Sequence, residues 1–309
     1  MKTQIKKVLI STGSFAVWDE LPLKLLQESG LLVTRNPFGR KLTKEEVIDL
    51  GSDMNGILAG TESLDADVLD RLPYLEVISR CGVGLDNVDL KVADKKGIIV
   101  LNTPDGPTQA VAELTVGLIF DLLRGISRMN RQMHQNIWKK DMGMLLAGKK
   151  VGIIGFGRIG NKVGTMLSLL DAEVSFCDSA FGQKINGFEN KDLEILLKES
   201  DIICIHISVD DKSILPILGK DELFSLKEGA FLVNCSRGGV VDESSLVDLL
   251  KSGYIAGAAL DVFDSEPYEG PLQEFDNVIL TPHIGSYARE ARINMEMQAA
   301  ENLIKGLGG

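Results

Sequence analysis

Three polar side chains of complementary chemistry each follow a short apolar run in the second half of the chain. Arg237 lies in Asn234-Cys235-Ser236-Arg237-Gly238-Gly239, Glu266 in Asp261-Val262-Phe263-Asp264-Ser265-Glu266-Pro267, and His283 in Thr281-Pro282-His283-Ile284-Gly285. An imidazole titrates near neutrality and can take or return a hydroxyl proton. A carboxylate on its other ring nitrogen fixes the tautomer and stabilises the imidazolium. A guanidinium can grip a substrate carboxylate with two parallel bonds and polarise an adjacent carbonyl. Taken singly, each has a blander reading: a solvated turn arginine, a surface carboxylate, a satisfied strand-end histidine. Their shared placement after successive apolar runs favours the chemical one.

A second signal precedes them. Val151-Gly152-Ile153-Ile154-Gly155-Phe156-Gly157-Arg158-Ile159-Gly160 carries GxGxxG at Gly155, Gly157 and Gly160, after an apolar strand and before a helix that starts at Arg158. In that setting Gly155 permits the tight turn, Gly157 lets a pyrophosphate approach the backbone, and Gly160 lets helix and strand pack closely. The helix N-terminus offers unpaired N–H groups to the phosphates. Asp178 follows 18 residues after Gly160, at the end of the next apolar run. A carboxylate there accepts from ribose hydroxyls and repels a 2′-phosphate, which predicts NAD rather than NADP.

The elements that must position these groups follow from periodicity. Apolar runs near 8–10, 31–33, 56–58, 75–78 and 98–101 read as strands, with helices near 22–29, 43–50, 64–71 and 89–96. A helix is expected over 110–123, then a polar stretch to Gly148 that carries Trp138 and a solvated His134. Six further strands are predicted at 150–154, 174–177, 202–207, 230–235, 257–262 and 277–281, and a final helix over 288–307. Such alternation is the pattern of βαβ units and parallel sheets, in which ligands bind beyond the carboxyl ends of the strands. His206, at the end of one run, reads as structural.

Composition narrows the field. With 309 residues, 44% hydrophobic and 25% charged, the chain is long enough for two globular domains. A formal charge of −11 argues against a nucleic-acid partner or an anionic membrane surface. No apolar run is long enough to span a bilayer, and Met1-Lys2-Thr3 leads quickly into the strand-like Val8-Leu9-Ile10, unlike a secretory leader. Cys81, Cys177, Cys204 and Cys235 lie far apart without a CxxC pair, so neither disulfides nor a metal site are expected. Free, inert thiols in a reducing cytoplasm fit that spacing.

The whole chain, roughly 5–308, resembles the D-isomer-specific 2-hydroxyacid dehydrogenases. The likeness runs through Arg80-Cys81-Gly82-Val83-Gly84-Leu85-Asp86-Asn87-Val88-Asp89, Asn102-Thr103-Pro104 and Ala112-Glu113-Leu114-Thr115, the glycine loop and the three strand-end segments. The resemblance implies an α/β protein of two doubly wound parallel-sheet domains: a Rossmann NAD-binding domain (102–283) inserted into a flavodoxin-like substrate domain (1–101 and 284–309). It makes Arg237, Glu266 and His283 the catalytic residues, and the backbone of Val83 and Gly84 the partner of Arg237 in holding the substrate carboxylate. Arg158, Ile159, Asp178, Ile207, Cys235, Asp261 and Gly285 become cofactor contacts.

The implied reaction is hydride transfer between NAD(H) and a small anionic 2-hydroxyacid/2-oxoacid pair, in a homodimer joined through the 105–145 region. Residues 80–89 and 234–243 look most like the 3-phosphoglycerate branch. Against it, Ala59-Gly60-Thr61-Glu62 lacks the arginine often found there, and Pro107 and Ala110 replace frequent polar residues. Two other readings share the fold: a non-enzymatic NAD-sensing, corepressor-like binding protein, and a phosphite dehydrogenase.

Overall fold

The computed structural model describes residues 5–209 and 215–308. The chain divides into two compact units, Met1–Pro107 with Tyr287–Gly309, and Thr108–Ser286. The sequence places the crossings slightly earlier, at 101/102 and 283/284. Side-chain bonds explain the difference. Thr103 is still tied to Gly82 of the first sheet, and Gly285 is still tied to Asp261 of the second.

The first unit holds strands β1 (Lys7–Ile10), β2 (Leu32–Arg35), β3 (Gly56–Ala59), β4 (Val77–Arg80) and β5 (Ile99–Asn102). They form one parallel sheet in the order β2-β1-β3-β4-β5, the flavodoxin-like arrangement. Helices α1 (Leu21–Glu28), α2 (Lys44–Gly51), α3 (Ala66–Asp70) and α4 (Leu90–Lys95) connect them. Asp65 and Asp89 cap α3 and α4, and Thr43 with Glu46 forms a capping box on α2. Alternate residues of the strands feed two cores. Leu9, Ile57 and Ile78 join Val47, Val68 and Leu72 on one face. Val8, Ile10, Leu58 and Val77 meet Leu26 and the last helix, α11 (Arg289–Gly306), on the other.

The second unit begins with α5 (Thr108–Arg124) and α6 (Ile126–His134). Its strands are β6 (Lys150–Ile154), β7 (Glu173–Cys177), β8 (Lys184–Ile185), β9 (Phe188–Asn190), β10 (Ile202–Ile205), β11 (Phe231–Asn234), β12 (Gly257–Leu260) and β13 (Val278–Leu280). Helices α7 (Arg158–Ser168), α8 (Leu193–Glu199), α9 (Lys220–Phe224) and α10 (Glu243–Ser252) lie between them. The sheet order is β13-β12-β11-β10-β6-β7-β9-β8. All six strands expected from the sequence are present, but the third position of the 3-2-1-4-5-6 order belongs to β9. At three residues, paired parallel to β7, it is too short to show periodicity. The strand at 278–280 is therefore the seventh of the parallel strands, and the strand order reverses between β6 and β10, which pair parallel.

Packing of α11 on the first sheet is tight. Leu303 is fully buried, and a Cβ on Gly56 would come 2.8 Å from its Cδ1. Leu303→Ala should therefore cost about 2–5 kcal/mol, as cavity-forming core truncations do. Urea unfolding followed by circular dichroism measures it; a loss below about 1 kcal/mol would show that α11 is not integral to this core.

Candidate active site

The glycine loop has the geometry that the motif requires. Gly155 takes φ +85°, its N–H bonds Cys177 O at 2.9 Å, and an added Cβ would lie 2.5 Å from Ile207 Cγ2 and 2.6 Å from His206 O. A Cβ at Gly160 would run into Gly155 O, so only glycine lets α7 start against the turn. Gly157 is the N-cap, without a capping side chain and with open space around its Cβ position. The first N–H groups of α7, where Arg158 and Ile159 stand, therefore lack side-chain caps, as an anion site needs. Asp178 is fixed to this loop: Oδ2 accepts from Phe156 N–H at 2.7 Å and Oδ1 from Ala180 N–H at 2.9 Å. Asn190 of β9 grips Asp178 in turn, accepting from its N–H at 3.1 Å and donating to its carbonyl at 2.9 Å. Glycine turn, uncapped helix end and anchored carboxylate together fit a dinucleotide.

Arg237, Glu266 and His283 follow β11, β12 and β13, three adjacent strands. The turn that carries Arg237 is wound around Asn234, which is 2% exposed. Its Oδ1 accepts from Ser236 N–H at 3.0 Å and Ser236 Oγ at 2.6 Å, while Nδ2 donates to Arg237 O at 3.2 Å. Gly238 packs so closely on Phe263 O that no side chain would fit, which seats the Arg237 turn on the segment leading to Glu266. His283 Nδ1 lies 2.9 Å from Glu266 Oε2 and 3.1 Å from Oε1. With Nδ1–H donating to the carboxylate, the Nε2 lone pair is left for proton exchange.

His283 adopts φ +54°, a left-handed conformation that costs a side-chain-bearing residue about 1–3 kcal/mol unless its surroundings hold it. Asp261 holds it. This carboxylate is 1% exposed and accepts from Thr281 Oγ1, Ile284 N–H and Gly285 N–H, each at 2.7 Å. The sequence suggests Asp261 as a cofactor contact. Its two oxygens accept from donors that bracket the histidine. Cys235 is buried, and burial pushes its thiol up to about 12. Cys81 is pushed up to about 11, and Cys177 and Cys204 are raised for the same reason, so all four thiols suit packing. His206 is 9% exposed with neither ring nitrogen partnered, and burial lowers it to about 4, so its imidazole is neutral.

In the first unit, Val83 and Gly84 belong to a loop folded by its neighbours. Gly82 takes φ +145° and donates to Thr103 Oγ1 at 2.8 Å, and Thr103 N–H donates back to Gly82 O at 3.0 Å. Asn102 Nδ2 donates to Val83 O at 2.7 Å, and Asn302 of α11 donates to Asn102 O at 2.9 Å. A trans peptide sends its C=O and N–H in opposite directions. Pinning the Gly82 and Val83 carbonyls thus turns the N–H groups of Val83 and Gly84 outward, and among the described residues neither has a partner. Two successive free N–H groups are the minimal anion nest. Sequence reasoning missed the residues that aim these groups: Asn102, Thr103, Asn190, Asn234 and Thr281. Their only signal was position, since each stands at or beside a strand end.

Among the described residues no group of three or more His, Cys, Asp or Glu could hold a metal ion. Asp261→Asn would set an amide NH₂ against a backbone N–H or the threonine hydroxyl. A destabilisation of about 1–3 kcal/mol is expected. Denaturant unfolding measures it, and a change under about 0.5 kcal/mol would show that the carboxylate does not clamp the His283 turn.

Comparison with known proteins places this geometry in a family. The family model described as D-isomer specific 2-hydroxyacid dehydrogenase, NAD binding domain, matches residues 116–285. The glyoxylate reductase of Thermofilum pendens is 39% identical over 300 residues, covering 93% of this chain and 88% of that protein. The D-3-phosphoglycerate dehydrogenase of Archaeoglobus fulgidus is 36% identical over 278 residues, 86% of this chain and 52% of that protein, so the chain spans about half its length. The crystal structure of the TT0316 protein of Thermus thermophilus superposes with a TM-score of 0.89 at 33% identity, covering 97% of this chain and 96% of that one. The chain belongs to the D-isomer-specific 2-hydroxyacid dehydrogenases, a family of NAD(P)-dependent oxidoreductases.

Proposed function

We propose that the protein interconverts a small, unphosphorylated 2-oxoacid and its D-2-hydroxyacid, using NAD(H), with His283 as the acid and base. The Glu266–His283 contact, held beyond the carboxyl end of the NAD-binding sheet, carries this reading. Bound nicotinamide accepts or supplies the hydride. In reduction, His283 gives its Nε2 proton to the carbonyl oxygen as hydride reaches the carbon; in oxidation it takes that proton back. Glu266 stabilises the imidazolium, and Arg237 polarises the carbonyl and grips the carboxylate. In the first unit, the N–H groups of Val83 and Gly84 suit a carboxylate oxygen.

Two relatives divide on substrate, one named for glyoxylate and one for 3-phosphoglycerate. Glu62 favours the first type. In the turn after β3 it is a buried carboxylate bonded to Gly60 N–H and Ser11 Oγ, so Ala59-Gly60-Thr61-Glu62 itself supplies no cation to a distal phosphate, and Arg80, in register with Ala59 on β4, already bonds Cys81 O. Glyoxylate and hydroxypyruvate are the expected substrates. Initial rates of NADH oxidation on a 2-oxoacid panel test this, with 3-phosphohydroxypyruvate included; a higher kcat/KM for the phosphorylated acid would refute the choice. His283→Ala should lower kcat about 10²–10⁴-fold. No turnover of any member by folded wild type would refute the activity.

Asp178 supports NAD over NADP, because its anchored carboxylate faces the position of a 2′-phosphate with no compensating cation in Ser179 or Ala180. At least about tenfold preference for NADH over NADPH is expected, equivalent to about 1.4 kcal/mol; equal efficiency would refute the role. For the homodimer, the supporting observation is a run of exposed apolar side chains on and after α6: Ile126, Met133, Ile137, Trp138, Met142 (99% exposed) and Leu145. Sedimentation should give twice the chain mass, and Trp138→Asp with Met142→Asp should give monomers. A wild-type monomer would end that reading.

A further inference from the structure

Glu62 takes no part in the proton or hydride steps, yet it is 1% exposed. Burying a carboxylate is costly, and an apolar side chain of the same size could fill the space at no such cost. Its bonds show what an apolar residue could not supply. Gly60 N–H donates to Oε1 at 2.9 Å and to Oε2 at 3.1 Å, and the fully buried Ser11 Oγ donates to Oε1. The carboxylate thus ties the end of β1 to the turn after β3. That turn is joined to the loop after β4 by Asn87, whose Nδ2 donates to Glu62 O at 2.6 Å and to Gly60 O at 3.3 Å. Asn87 O also accepts from Leu64 N–H at 2.7 Å.

Asn87 stands three residues after Gly84. The loop with the outward N–H pair is therefore gripped on both sides, by Asn102 and Thr103 before and by Asn87 after. The second grip depends on the buried Glu62 carboxylate, while on the near side Arg80 also bonds Cys81 O. We infer that Glu62 is a positioning residue: through Gly60 and Asn87 it sets the aim of the Val83 and Gly84 N–H groups and hence the grip on the substrate carboxylate. This rests on the reading of those two N–H groups as carboxylate donors. Glu62 acts on binding of the acid, not on the proton held by His283.

Glu62→Gln keeps the volume but puts an NH₂ against one of the donors, and Asn87→Ala cuts the link while leaving the carboxylate in place. In each variant KM for glyoxylate should rise about tenfold, the order expected when a binding group is misaimed by a fraction of an ångström. The kcat should stay within about twofold, and the NADH dissociation constant, read by fluorescence, should not move. The double variant should be no worse than Asn87→Ala, because both changes act along one route. An unchanged KM in folded Asn87→Ala, equal falls of kcat and NADH affinity, or multiplicative KM losses in the double variant would each overturn the inference. Asn87→Ala decides alone if Glu62→Gln does not fold. Absence of turnover by wild type would refute the dehydrogenase reading instead. Amide exchange then tests the brace separately: faster exchange at the bonded N–H groups of Gly82 and Thr103 in both variants supports it, and unchanged exchange overturns it.

Discussion

Asp261 bears three donors on two buried oxygens, and the histidine between those donors has a backbone conformation that it would not choose alone. The constraint is general to parallel sheets. The ladder satisfies backbone groups along each strand, then stops at the carboxyl end, where the loops must find other partners. In both units those partners are short polar side chains at strand ends. Asn234 winds the Arg237 turn, Asn190 anchors Asp178, Asn102 and Thr103 orient the Val83–Gly84 loop, and Glu62 braces the turn after β3. Each candidate site group is thus one covalent or hydrogen-bonded step from a side chain that holds its loop.

Strain and burial are used together in this scheme. A left-handed His283 and a buried Asp261 carboxylate are each unfavourable in isolation. Joined, the strain presents two N–H groups to the carboxylate, and the carboxylate prevents the strain from relaxing. The imidazole is then presented to Glu266 without waiting for a ligand to organise it. Such preorganisation lowers what a substrate must contribute to assemble the site.

The sequence made the repeating architecture and the placement of Arg237, Glu266 and His283 after adjacent strands legible because both depend on signals that survive in one dimension. Apolar runs mark β6 and β10–β13, and glycine with a following helix marks the dinucleotide turn. Two things did not survive. β9 is three residues long, with a two-residue partner, so tertiary pairing to β7 makes the strand and periodicity does not. The role of Asp261 was also hidden. A carboxylate at a strand end does not show in sequence what it clamps, and the three donors around Asp261 become visible only in the fold. Asn102 and Asn234 were visible as residues but silent as functions, because an amide shows its use only in what it holds.

The electrostatics follow the same division between long and short range. A chain with a formal charge of −11 repels anions at a distance. Its two candidate anion sites are nevertheless built mostly from backbone: the uncapped start of α7 and the outward N–H pair of Val83 and Gly84. Backbone dipoles act only within about one turn of a helix or one hydrogen-bond length. They attract an anion that has already arrived and fits, while the surrounding carboxylates keep the protein's far field negative. Arg237, in the turn wound around Asn234, is the full positive charge that the proposed reading assigns to a carboxylate substrate. Under the proposed reading, selectivity rests on shape and on the aim of N–H bonds, set by side chains that are buried, as Thr103 and Asn234 are, or half-buried, as Asn87 and Asn102 are.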